Sequence, residues 1–163
     1  MTHLFTFTTY GTHLRGDPRG SIDRHENEPG QPTLDPSPHL HTADQARLQS
    51  PPITLDEPQR RLVLESIQQT CDYRGWLLHA AHIRTNHVHA IISSDAPAGH
   101  ILRDLKAYAS RHLNRAHGHH PKRWTRGGST RSLPTPEAIQ AATRYVIEAQ
   151  GSPMAFYLAP PGR

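Results

Sequence analysis

The sequence predicts an α+β fold, a ferredoxin-like split βαβ arrangement in which an antiparallel sheet carries its helices on one face. Three observations predict it. Short runs of β-branched, aromatic or continuous apolar residues read as strands, while longer stretches with apolar residues every three or four positions read as helices. Their order is strand, helix, strand, strand, helix, short strand, helix. The 163 residues show no internal repeat and suit a single domain over 1–163.

The first strand is His3-Leu4-Phe5-Thr6-Phe7-Thr8-Thr9-Tyr10, ended by Gly11. Thr54-Leu55-Asp56-Glu57-Pro58 signals a helix start, and Leu62, Leu64, Ile67 and Cys71 give a first helix over about 56–73 closed by Arg74-Gly75. Two apolar runs, Trp76 to Ile83 and His87 to Ser93, flank Arg84-Thr85-Asn86 and read as a β-hairpin. A second helix over 98–116 carries Ile101, Leu102, Leu105, Tyr108 and Leu113, with Gly118 beyond its end. A short strand fits Ser129 to Leu133. Thr135-Pro136-Glu137 then places a cap and a proline at the start of a third helix over 136–150, whose apolar face is Ile139, Ala142, Val146 and Ile147.

Composition narrows the class. Hydrophobic residues make up 34% of the chain, and 15 Pro and 11 Gly are concentrated enough over about Arg15–Pro52 to read as a long Pro-rich loop or insertion. No apolar run approaches the ~20 residues needed to cross a bilayer, so no membrane partner is expected, and MTHLFTF lacks a cleavable signal pattern. Cys71 is alone, which excludes an internal disulfide framework and a Cys-rich zinc module, and makes the cytoplasm the expected compartment.

The formal charge is +4, and its excess is local. Arg103, Lys106, Arg111, Arg115, Lys122, Arg123, Arg126 and Arg131 face one acid, Asp104, in the same stretch. A basic stripe with Trp124 inside it suits a polyanion, with the indole available to stack on a base.

Fourteen histidines raise the question of metal. Three His-x-His triplets occur, at His39/His41, His87/His89 and His117/His119, and with histidine so common the spacing decides little. Context discriminates, since only the middle triplet lies on a strand, where a period of two sets both imidazoles on one face as adjacent ligands for one ion. The sequence has no G-x-S-x-G elbow and no P-loop, and Cys71 lies on an apolar helix face. Tyrosine remains open as a nucleophile, with Tyr10, Tyr73, Tyr108, Tyr145 and Tyr157 as candidates and Tyr108 and Tyr145 on helices after the histidine strand.

The ordered set Asn86-His87-Val88-His89-Ala90-Ile91-Ile92, a following basic helix, Arg123-Trp124 before a Gly-Ser turn, and Arg144-Tyr145-Val146-Ile147-Glu148-Ala149-Gln150 resembles the HUH-type single-tyrosine transposases, which include the REP-associated tyrosine transposases. The resemblance spans about Thr85 to Gly151, with Leu4 to Tyr10 matching the first strand. It implies a single-stranded DNA nuclease and strand transferase, with hairpin-containing DNA as partner and a homodimeric state. His87 and His89 match the metal ligands, for Mg²⁺ or Mn²⁺, and Tyr145 matches the nucleophile that forms a 5′-phosphotyrosine. Lys106, Arg111, Arg123, Trp124 and Arg126 are then the expected DNA contacts.

Two choices stay open at this level. The related enzymes commonly place a third ligand, Gln or Asn, four residues after the tyrosine, where this chain has Ala149. Gln150 is the expected ligand by resemblance, although on a regular helix it lies about 140° from Tyr145 whereas Glu148 lies about 60° away. Tyr108, flanked by Lys106 and Arg111, is the second choice of nucleophile. A DNA-binding protein without catalysis, and a zinc hydrolase using His87, His89 and His82 with water as nucleophile, are the competing functions.

Overall fold

Alternation along His87–Ser93 sends Val88, Ala90 and Ile92 to one side of a strand and His87, His89 and Ile91 to the other, and the molecule is built on the two sides that result. The computed structural model describes residues 1–12, 42 and 51–162. The elements are β1 (Thr2–Thr8), α1 (Glu57–Arg74), β2 (Leu77–Ile83), β3 (His87–Ser93), α2 (Ala98–His117), β4 (Ser129–Ser132), α3 (Pro136–Glu148) and β5 (Ala155–Leu158). The sheet order is β4-β1-β3-β2-β5, with every neighbouring pair antiparallel. The Pro-rich segment expected over 15–52 lies outside the described residues apart from Thr42, Pro51 and Pro52, as does the triplet His39/His41.

Local chemistry sets the helix ends. Asp56 caps α1 through a reciprocal box, in which Gln59 N–H donates to Asp56 Oδ1 at 2.9 Å and Asp56 N–H donates to Gln59 Oε1 at 3.0 Å. Gly75, at φ 70°, stops the helix in the left-handed conformation. Thr135 caps α3 by accepting from Ala138 N–H at 3.2 Å, with Pro136 in the first turn.

The larger core lies between one sheet face and the pair α1 and α2. It joins Phe5, Phe7, Val88, Ala90 and Ile92 of the sheet to Val63 and Ile67 of α1 and Leu105 and Leu113 of α2. Burying each such large apolar side chain is worth about 1.5–3 kcal/mol. The smaller core sets Leu4, Ala80 and Ile91 on the other face against Ala142 and Val146 of α3.

The expectation of all helices on one face is therefore corrected for α3, and handedness gives the reason. The strands β1 and β2 are joined through α1, and β3 and β4 through α2, by parallel crossovers in which a right-handed path puts both helices on the same side. The path from β4 through α3 to β5 runs the opposite way across the sheet, so the same handedness puts α3 on the other side. The sequence reading lacked β5, whose four residues are too few to display a period, and without it α3 is no crossover.

Trp124 is also corrected. Rather than offering its face to a base, it is 6% exposed, packs edge-on against Phe7 at 5.0 Å, and donates its indole N–H to Lys106 O and Ser110 Oγ. Trp124→Ala is expected to cost about 3–5 kcal/mol in chemical denaturation, as for a large core aromatic. A loss below about 0.5 kcal/mol would mark an exposed, non-structural indole.

Candidate active site

On the α3 side of the sheet His87, His89, Gln150 and Tyr145 come together, with His89 buried and Tyr145 exposed. Cross-strand pairing sets Thr6 beside His89 and Thr8 beside His87. Both imidazoles are held through Nδ1: His87 Nδ1 lies 2.8 Å from Asn86 Oδ1, and His89 Nδ1 lies 2.9 Å from Thr6 Oγ1. The rings meet edge to face, with centroids 4.9 Å apart. Such partners on one nitrogen orient the other toward a ligand.

Gln150 reaches this pair. Its Oε1 lies 3.2 Å from His87 Nε2. The helical angle that favoured Glu148 does not apply, because α3 ends at Glu148, Ala149 is its C-cap, and Gly151 turns the chain at φ 78°. Glu148 stays exposed. With a proton on His87 Nδ1 for Asn86, the Nε2 lone pair faces an amide oxygen, an acceptor opposite an acceptor, which a shared cation reconciles. Among the described residues no three His, Cys, Asp or Glu side chains form a metal site. Two imidazoles and one amide oxygen fit a divalent cation with open positions.

Tyr145 stands beside these donors. Its ring is 5.8 Å from that of His89, edge to face, and the residue is 48% exposed. Tyr108 is on α2, across the sheet from the imidazoles, with the Arg111 guanidinium 5.0 Å over its ring. Cys71 is buried, and burial pushes its thiol up to about 12, which removes it as a nucleophile.

His82 is fully buried and committed to backbone. Its Nδ1–H donates to Val146 O at 2.8 Å, and its Nε2 accepts from Met154 N–H at 3.0 Å. The zinc arrangement that would use it as a ligand is corrected by those two bonds, which occupy both ring nitrogens. The same bonds tie the last turn of α3 to the start of β5, on either side of Gln150. Arg84 Nη1 donates to Ser152 O within that connection.

The expected DNA contacts divide. Arg123 is 8% exposed and holds Asn114 Oδ1 and Gly118 O, closing the end of α2. Lys106 Nζ donates to Thr125 O and Gly127 O, both at 2.7 Å, shaping the turn before β4. Arg111 is exposed in the helical layer opposite the imidazoles, and Arg126 is exposed beside that turn. Sequence reasoning assigned no role to Asn86, Thr6 or Arg84. The alternation of β1 with β3 carried the signal for Thr6, whereas Arg84 depends on a chain turn that no spacing encodes.

The family model described as "Transposase IS200 like" matches residues 53–146. No protein of curated function matches the sequence. Among solved structures, a REP-associated tyrosine transposase described as bound to a REP hairpin is similar in fold, with a TM-score of 0.50 and 13% identity, covering 90% of this chain. The present chain spans 64% of that one.

The imidazole at the centre has a measurable consequence. Burial first, and the neighbouring His87 next, push the pKa of His89 down to about 3. The unfolded chain takes up that proton near 6.5, so between the two values the unfolded state binds more protons and stability falls as pH falls. His82 and His79 are shifted in the same direction by burial. Denaturation of metal-free protein is expected to show about 2 kcal/mol lost from His89 alone between pH 6.5 and 5. In NMR titration the His89 ring should stay neutral at pH 5; an imidazole titrating near 6.5 would contradict the burial that the site depends on.

Proposed function

From the premise that the chain belongs to the IS200-like transposase family, we propose that it is a metal-dependent single-stranded DNA endonuclease and strand transferase acting through a 5′-phosphotyrosine. The observation that carries this reading is the convergence of His87, His89, Gln150 and the exposed Tyr145 on one side of the sheet. The residues that would hold the divalent ion, Mg²⁺ or Mn²⁺, are His87, His89 and Gln150. When bound there, such an ion supplies polarisation of a scissile phosphate.

The chain's own residues account for the remaining steps. Asn86 and Thr6 fix the imidazoles through their Nδ1 atoms, so the donor pair is set before substrate arrives. Tyr145 Oη forms the bond to phosphorus, the bond from phosphorus to the 3′-oxygen breaks, and the phenolic proton is balanced by protonation of that 3′-oxygen. The phosphodiester is conserved in the protein–DNA link. A second 3′-hydroxyl can therefore reverse the step on another strand without a nucleotide triphosphate.

Hairpin-containing single-stranded DNA is the substrate in this reading, and homodimeric assembly belongs to it as well. Of the residues first expected to bind DNA, Arg126 keeps an exposed guanidinium group for that task, Arg111 is exposed in the layer opposite the imidazoles, and Lys106, Arg123 and Trp124 support the scaffold.

Labelled hairpin DNA incubated with the protein and Mn²⁺ is expected to give a covalent adduct on a denaturing gel. The adduct should vanish in Tyr145→Phe, fall at least ~100-fold in rate in His87→Ala, and persist in Tyr108→Phe. Retention of DNA on a native gel with no adduct from any hairpin of a panel would instead favour a binding protein without chemistry.

A further inference from the structure

The basic stripe recognised in the sequence is split by the sheet. Arg103, Arg111 and Arg115 belong to α2, which packs on the face opposite the imidazoles. On the side that holds the imidazoles, strand pairing builds something else. The register sets His89, Thr6 and Ser129 in one row across β3, β1 and β4. A parallel row runs from His87 to Thr8 and on to Thr125, with Thr8 Oγ1–H donating to Thr125 Oγ1 at 3.1 Å. Two strand spacings carry each row about 10 Å from the imidazoles, and the two rows lie about 7 Å apart along β1.

This hydroxyl floor ends at the β4 edge, and the edge is cationic. Arg131 pairs with Leu4 and so shares the face of α3, and Arg126 follows Thr125 directly. Both are exposed, and neither makes an ion pair among the described residues. Exposed Arg144 lies on α3 next to Tyr145; the exposed acids of that helix are Glu137 and Glu148. Gly128 lets the edge close up, because a Cβ there would come within 2.8 Å of Thr6 O. The turn before it is held by Lys106 through two carbonyls.

We infer that this floor is the path of the single-stranded flank of the substrate: from the imidazole pair the strand crosses Thr6 and Thr8 to the β4 edge, where Arg126 and Arg131 hold its phosphates. The Thr8 and Thr125 hydroxyls donate within the fold, to Thr125 Oγ1 and Thr9 O, so the Arg126 and Arg131 guanidinium groups are the donors that phosphate oxygens accept, and neither row interposes an acid or a large apolar side chain. The inference rests on the proposed DNA chemistry for its substrate class, and it adds Arg131 and a direction across the sheet to the expected contact at Arg126.

Position-resolved cross-linking separates the two. Hairpin DNA carrying a photoreactive thymine at successive positions is bound to Tyr145→Phe, which cannot form the adduct. Cross-links from the flank on one side of the scissile phosphate are expected in the peptide 125–131, and cross-links confined to α2 would overturn the path. Salt titration of affinity gives the electrostatic arm. Arg126→Ala and Arg131→Ala should each flatten the slope of log K against log salt by about 0.7, with Mn²⁺ binding unchanged, while Arg115→Ala leaves the slope as it was. A slope that responds to Arg115 and not to Arg126 or Arg131 would refute the assignment, as would failure of the protein to bind single-stranded DNA. Binding with these signatures but no covalent adduct from the wild type would leave the path standing and defeat the nuclease reading alone.

Discussion

Two hydrogen bonds from one buried imidazole hold together the part of the molecule where chemistry is placed. His82 gives its Nδ1–H to Val146 O and accepts Met154 N–H at Nε2, so α3 and β5 are both anchored to β2. Between those anchors the chain has only to leave the helix, turn at Gly151 and return. Gln150 is carried toward the β3 imidazoles by that turn, where a continued helix would have aimed it elsewhere. An imidazole that must donate at one nitrogen and accept at the other is neutral by construction, and burial lowers its pKa in the same sense.

The two sheet faces divide stability from chemistry. The side covered by α1 and α2 is apolar throughout its centre, and it takes in Trp124 along with the guanidinium of Arg123 at its border. The side under α3 is apolar at Leu4, Ala80 and Ile91, and polar at Thr6, Thr8, His87 and His89. This split follows from strand alternation, which sends neighbouring residues of β1 and β3 to opposite layers. It also requires α3 on the second face, which the right-handed path between the two outermost strands, β4 and β5, provides.

The legible part of the sequence was the part written in local periodicity. Caps at Asp56 and Thr135, the hairpin around Arg84-Thr85-Asn86 and the shared face of His87 and His89 all depend on neighbours within a few residues. Tyr145 was separated from Tyr108 by resemblance and now also by layer, since α2 and α3 lie on opposite sides of the sheet. What local pattern could not supply was long-range pairing. The strand β5 is four residues long, and its partner β2 lies more than seventy residues earlier. Trp124 and Arg123 looked like DNA contacts in a basic run because no local signal says that an indole will meet Phe7 or that a guanidinium will close a helix end.

The account turns on Gln150 joining His87 and His89 as the donors of one divalent cation, with Glu148 left in solvent. Calorimetric titration of Mn²⁺ into metal-free protein and three single variants tests that claim most directly. One site is predicted in the wild type, lost in His87→Ala, weakened at least ~10-fold in Gln150→Ala and unchanged in Glu148→Ala. Binding that survives in Gln150→Ala and fails in Glu148→Ala would contradict the account, because in this structure Gln150 reaches His87 while Glu148 is exposed.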